Sequence, residues 1–136
     1  MRANDKVKVI VIEDDATLAD SYRRMMLLLP YVAVEVIYDG AKGLQRISGE
    51  PCGILFVDLH LPIVSGLEVL TAARNDPRWS KTLKVAFTVD IELASKVSAT
   101  EKGLDAVLIK PVEVETYHMY VRNAALRAGV PISQPA

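Results

Sequence analysis

Two hydrophobic rhythms alternate along this chain. Short apolar runs rich in β-branched residues occupy 7–12 (VKVIVI), 32–37 (VAVEVI), 54–58 (ILFVD), 83–88 (LKVAFT) and 106–109 (AVLI), and each predicts a strand. Between them the apolar positions spread to helical spacing. Leu18, Tyr22, Met25 and Leu29 form one stripe on a predicted helix at 16–29. Further helices are predicted to about 48, over 66–74, over 91–102 and over 113–128. In the last, Val114, Tyr117, Val121 and Ala124 share a stripe that reads as core, and Met119 and Tyr120 fall off it as candidates for an exposed apolar contact. The punctuation agrees. Asp39-Gly40 ends the second strand, Gly103 stops the fourth helix, and NDPRWSK (75–81) reads as a polar loop that Trp79 could anchor.

Five strand–helix units in strict alternation predict a parallel sheet covered by helices on both faces. ILFVD shows no alternation, as expected of a strand buried on both sides. The expected fold is α/β, a flavodoxin-like (βα)5 doubly wound parallel sheet with strand order 2-1-3-4-5. The 136 residues suit one domain, placed at 1–128, with 129–136 as a C-terminal tail or the start of a linker. Composition narrows the setting. A formal net charge of −1 gives no basic footprint for nucleic acid. Cys52 is the only cysteine, which excludes an internal disulfide and suits a reducing compartment. The longest apolar run, Met25–Leu29, stops at Pro30, far short of a membrane span, and the N-terminus lacks a signal-peptide pattern. The expectation is a soluble, cytoplasmic domain with no membrane and no direct nucleic-acid contact.

The chemistry gathers at the strand ends. In an open parallel sheet, ligands bind beyond the carboxyl ends of the strands, near the point where strand order reverses. The first strand offers Glu13 and Asp14 there, the third Asp58, the fourth Thr88 and the fifth Lys110. Strands one and three are neighbours in the order 2-1-3-4-5, so their acids meet. Clustered carboxylates repel one another and suit a small hard dication such as Mg²⁺. Asp58 closes a buried run, so a stiff strand presents its carboxylate at the rim, where it can attack a phosphoryl group and form an aspartyl phosphate. Phosphoryl transfer then asks mainly for positioning and charge neutralisation. Lys110 can place an ammonium on one phosphoryl oxygen and Thr88 a hydroxyl on another. Singly, most of these residues have ordinary readings. Glu13, Asp14 and Asp15 can cap the following helix, Thr88 can fill a strand end, and Lys110 can be a solvated lysine. Asp58 is harder to dismiss, because an acid closing a buried run needs a partner. The conjunction decides, with Asp15 assigned to the helix start and Asp14 to metal.

Over roughly residues 6–128 this set resembles the receiver domain of two-component response regulators. In that family an acid pair follows strand one, matching Glu13 and Asp14, and the phosphoacceptor aspartate ends strand three, matching Asp58. Pro62 and Gly66 stand four and eight residues after it, as the family often has them, and Thr88, Lys110-Pro111 and Gly103 match as well. The separations Asp14–Asp58, Asp58–Thr88 and Thr88–Lys110 are 44, 30 and 22 positions, in the family's register. The resemblance implies phosphoryl transfer to Asp58 from a histidine kinase or histidine phosphotransfer protein, assisted by Thr88 and Lys110. It implies Mg²⁺ held by Glu13, Asp14, Asp58 and the backbone carbonyl of His60. It also implies slow loss of the phosphoryl group, no turnover of outside substrates, and an effector or homodimer face within 91–128.

Two departures bear on the switch. Val89 follows Thr88 where the family usually has alanine or glycine, and Val107 stands three residues before Lys110 where it usually has tyrosine or phenylalanine. The first narrows access to Asp58, and the second removes the ring that normally turns inward. His60 and Asp90 flank the site as tuning positions or as exposed loop residues. The alternative function is a phosphorylation-independent pseudo-receiver acting as a protein-binding scaffold. A flavin carrier is excluded because EDDAT after strand one would repel a phosphate. An aspartate-nucleophile phosphatase is excluded because DLHLP lacks the second aspartate and the threonine that such enzymes carry. The residues left over are too few for a DNA-binding output domain, which leaves a stand-alone receiver and a piece of a longer regulator both open.

Overall fold

β1 (Val7–Ile12), β2 (Val32–Ile37), β3 (Ile54–Asp58), β4 (Leu83–Thr88) and β5 (Ala106–Ile109) pair in parallel as one sheet of order β2-β1-β3-β4-β5. The structure is a computed structural model and describes residues 6–97 and 103–132. The helices are α1 (Ala16–Met26), α2 (Gly40–Ile47), α3 (Gly66–Asn75), α4 (Ile91–Lys96) and α5 (Val114–Arg127), with a short 3-10 turn at Pro77–Trp79. The fold expected from the alternation is the fold observed.

The strand sequences show why both faces are covered. Val7, Val9 and Val11 point into one core with Phe56, Val85 and Phe87, where Met26 of α1 and Tyr117, Val121 and Ala125 of α5 close over them. Ile10, Ile12, Leu55, Val57 and Ala86 point the other way, under Ile47 of α2 and Val69, Leu70 and Ala73 of α3. Successive side chains of a strand alternate faces, so an apolar run without alternation must be buried twice. Each such side chain contributes about 1.5–3 kcal/mol of burial.

The helices needed more correction than the strands. α1 ends at Met26 rather than 29: Leu28 and Leu29 donate to Met25 and Met26 in three-residue steps, and Pro30 stops the chain. Its buried residues are Ala19 and Met26, with Tyr22, Met25 and Leu29 packed beside them, whereas Leu18 is exposed. On α5, Tyr117, Val121 and Ala124 are core as expected, but Val114 is exposed. Met119 is exposed and Tyr120 packs partly against the core. The helix predicted over 91–102 is described as Ile91–Lys96, and 98–102 lie outside the described residues. Gly103 has φ 70°, a left-handed conformation that suits glycine. Beyond α5, Gly129 turns at φ 72° and Val130 packs into the same core, donating to Ala125 O at 2.9 Å. Trp79 does anchor its loop. It is fully buried, and its indole N–H donates to Ile47 O at 2.9 Å. Lys84 of β4 is buried, and its ammonium donates to the carbonyls of Trp79 and Thr82 at 2.7 and 2.9 Å. No helix among the described residues is long and apolar enough to cross a membrane.

Candidate functional site

The three acids after β1 divide their work. The Asp15 carboxylate caps α1, accepting from Thr17 N at 2.9 Å and Leu18 N at 3.1 Å. That leaves Asp14, exposed, and Glu13, buried, free of the helix cap. Both meet Asp58 at the end of β3, and one carboxylate oxygen from each lies within 4.8 Å of the others. The parallel pairing of β1 with β3 makes this convergence, since Ile12 stands beside Val57 one step before each strand's acid.

Lys110, at the end of β5, enters the same space. Its Nζ donates to Glu13 Oε1 at 2.7 Å and to Asp58 Oδ2 at 2.8 Å, and all three side chains are at least nine-tenths buried. Burial alone would lower the lysine pKa, but the hydrogen bonds it donates to Asp58 and Glu13 outweigh it and hold the ammonium well above its usual range. Glu13 is pushed the other way: burial raises it more than the Lys110 hydrogen bond lowers it. Three carboxylates and one ammonium leave the site doubly negative. A compact set of hard oxygen donors with that charge fits a dication that keeps part of its water, and Glu13, Asp14 and Asp58 are the residues able to hold one.

Thr88 ends β4 fully buried, with Lys110 N donating to its carbonyl at 2.8 Å. Its hydroxyl oxygen accepts from Asp90 N at 3.0 Å, so its own proton is not committed to that contact. His60 N donates to Asp58 Oδ1 at 2.7 Å, and the His60 ring lies 3.4 Å from Asp90 Oδ2 in an exposed contact across the rim. The Leu93 N–H that Asp90 caps, helped by the nearby His60 ring and the Glu92 N–H, holds Asp90 below its ordinary range. Val89 is exposed beside it, and Val107 is half-buried against the α3 side of the sheet. The loop after Asp58 is tight. A Cβ at Gly66 would collide with the Asp58 carbonyl, and Ser65 and Glu68 close a capping box on α3. Within this loop Ile63 is fully exposed at φ 67°, a left-handed conformation that β-branched residues rarely adopt.

The structure therefore brings Glu13, Asp14, Asp58 and Lys110 into one cluster, with Thr88 and the His60 backbone at its edge. Sequence reasoning missed the aromatic layer beneath Lys110, made by Tyr22, Phe87 and Tyr117. Its one readable signal was that α1 and α5 each carry a tyrosine on the stripe facing the sheet. The other candidates stay apart. Burial pushes the Cys52 thiol up to about 12, which suits a packed thiol and not a nucleophile. The His118 ring lies 2.9 Å from Met25 O, in the last turn of α1.

Comparison with known proteins bears on this geometry. The model of the response regulator receiver domain family matches residues 9–122. The transcriptional regulatory protein CutR of Streptomyces coelicolor is 30% identical over 126 residues, which are 93% of this chain and 57% of CutR. The chain thus spans little more than half the length of that relative. A probable chemotaxis protein CheY of Rhizobium etli is 24% identical over 85% of this chain and 89% of its own. Among solved structures, a CheY-like receiver domain protein from Methanospirillum hungatei superposes with a TM-score of 0.77 at 23% identity, covering 91% of this chain and 97% of that one. The receiver domain of a sensor histidine kinase from Pseudomonas aeruginosa, solved with magnesium coordinated in its active-site cleft, gives 0.75 at 16% identity over 91% and 98%. With the family model matching from β1 into α5, this chain belongs to the response regulator receiver domain family of two-component signalling.

Proposed function

We propose that this domain accepts a phosphoryl group on Asp58 from a histidine kinase or histidine phosphotransfer protein, with Mg²⁺ held by Glu13, Asp14, Asp58 and the His60 carbonyl. The observation that carries this is the two-sided hold on one buried carboxylate. Lys110 grips Asp58 Oδ2 at 2.8 Å and the His60 amide grips Oδ1 at 2.7 Å. An Asp58 oxygen forms a bond to phosphorus as the donor's P–N bond breaks, and the leaving imidazole keeps the electron pair and takes up a proton. Bound Mg²⁺ would offset charge on the phosphoryl oxygens. Lys110 is close enough to follow the new oxygens, and the uncommitted Thr88 proton can be donated to another. The acyl phosphate is then lost slowly to water, without turnover of outside substrates. The added charge biases the loop after Thr88 and the face over 91–128. There Ile91, Ile109 and Met119 lie exposed, available to an effector or a second copy. A histidine-kinase donor and the single unpaired thiol of Cys52 support a cytoplasmic setting.

Intact mass after incubation with phosphoramidate and Mg²⁺ tests the reading. Wild type should gain one phosphoryl unit and Asp58→Asn none, with no gain when metal is chelated. A wild type that gains nothing with any donor would instead make the domain a phosphorylation-independent scaffold.

A further inference from the structure

The floor under Lys110 is aromatic, and it carries a hydroxyl that packing does not explain. Tyr22 comes from α1, Phe87 from β4 and Tyr117 from α5. Phe87 meets the Tyr22 ring edge-on at 5.3 Å between centroids, and Tyr117 lies 5.7 Å from Tyr22 and 6.3 Å from Phe87. The Lys110 ammonium sits 4.7 Å from the Phe87 centroid and 5.8 Å from that of Tyr22. A core asking only for volume would be served by phenylalanine or leucine. Tyr117 instead buries a hydroxyl with no hydrogen-bond partner among the described residues. Its polar neighbour is the Tyr22 hydroxyl, which does not meet it at hydrogen-bond geometry. Buried unpaired hydroxyls are costly and rare, and the cost is borne at the ring that backs Tyr22 and Phe87.

The carboxylate partners of Lys110 change when Asp58 is modified, whereas the rings do not. A ring face attracts an ammonium, more strongly where water is excluded, and the Lys110 side chain is 10% exposed. We propose that Tyr22 is a positioning residue for phosphoryl transfer: its ring and that of Phe87, backed by Tyr117, together hold the Lys110 ammonium at Asp58 both before and after the phosphoryl group arrives. This rests on the phosphoacceptor reading above. Phe87 is fully buried, so removing it would wound the core; Tyr22 is only half-buried, and changing it isolates the effect.

The test compares Tyr22→Phe, Tyr22→Leu and pentafluorophenylalanine at position 22, the last keeping the ring's shape while reversing the charge of its face. Two quantities are read. One is the Lys110 ε-methylene NMR signal in unphosphorylated, chelated protein. The other is the rate of Asp58 phosphorylation by phosphoramidate with Mg²⁺, split into its saturating value and the half-saturating concentration. Tyr22→Phe should match wild type in both. The leucine and pentafluoro forms should lower the saturating rate about tenfold with the half-saturating concentration unchanged, the scale of a desolvated cation–ring contact. Both should also shift the Lys110 signal. Rates within about twofold of wild type in both variants overturn the proposal, as does an unmoved Lys110 signal in Tyr22→Leu. Equal losses in Tyr22→Phe and Tyr22→Leu overturn it too, since they would assign the effect to the hydroxyl. The pentafluoro form keeps the side-chain volume and so remains informative if leucine does not fold. A wild type that takes up no phosphoryl group sinks the phosphoacceptor reading, and the chelated-state signal then decides alone whether the ring holds Lys110.

Discussion

Lys110→Met weighs the electrostatics of the site directly. In the wild type one ammonium answers two carboxylates, at 2.7 Å to Glu13 and 2.8 Å to Asp58, and their side chains are 2% and 8% exposed. Methionine keeps the apolar stem against Phe87 and Tyr22 and removes the charge. Removing one partner of a buried pair costs about 3–5 kcal/mol, because the charges left behind are uncompensated. The exposed Asp14 marks the open side of the cluster, where water can partly replace the ammonium, so the expected loss is the lower figure, about 3 kcal/mol. Against a domain stability of about 5–15 kcal/mol that is a large fraction. Urea unfolding followed by far-UV circular dichroism, in chelated buffer at neutral pH, should show a midpoint lower by about 1–2 M at unchanged slope. Acid should narrow the gap, since protonating the stranded carboxylates removes what the lysine had balanced. The sharper control is the background. In Glu13→Gln, Asp58→Asn the ammonium is itself the unpaired buried charge, and there Lys110→Met should be neutral or stabilising. If the substitution costs the same in both backgrounds, the lysine is held by packing and the electrostatic account fails.

Two further perturbations isolate single terms. Glu13 sits above its ordinary value of 4.5, chiefly from burial, so its contribution to stability is complete below that pH and is lost as pH rises through the higher folded value. Glu13→Gln should therefore raise the urea midpoint of metal-free protein at pH 7, with the difference closing below 4.5; a constant difference across that range would contradict it. Ile63→Gly should stabilise by about 0.5–1 kcal/mol, the left-handed strain of about 1–2 kcal/mol less the added chain entropy of glycine, because the fully exposed side chain forfeits no burial. A lower midpoint would mean that the Ile63 side chain makes a contact this reasoning omits.

What the sequence could and could not reveal follows from which contacts are local. The sheet was legible because burial on two faces writes itself into a continuous run such as ILFVD, and parallel strands collect their carboxyl ends at one edge. Topology alone therefore gathers Glu13, Asp14, Asp58, Thr88 and Lys110, and no distance is needed to suspect them. The rotation of α1 was not legible. Hydropathy favoured Leu18, yet the small Ala19 is the residue buried, because close packing of helix on sheet rewards a methyl that hydropathy scarcely counts. Trp79 looked like a residue of a polar loop; its burial depends on Ile47, 32 positions away, accepting from its indole. Ile63 gave no warning either, since PIVSG holds no glycine or asparagine at the position that turns left-handed. The aromatic floor beneath Lys110 belongs to the same class. Tyr117 read as core from its own stripe, Tyr22 stood on the α1 stripe and Phe87 in a strand, and only the crossing of α1, β4 and α5 at one point turns them into the surroundings of an ammonium. In this domain the candidate reacting groups are announced by strand ends, whereas the rings around Lys110 show in the sequence only as tyrosines on two separate helix stripes and a phenylalanine in a strand, with nothing local to say that they meet.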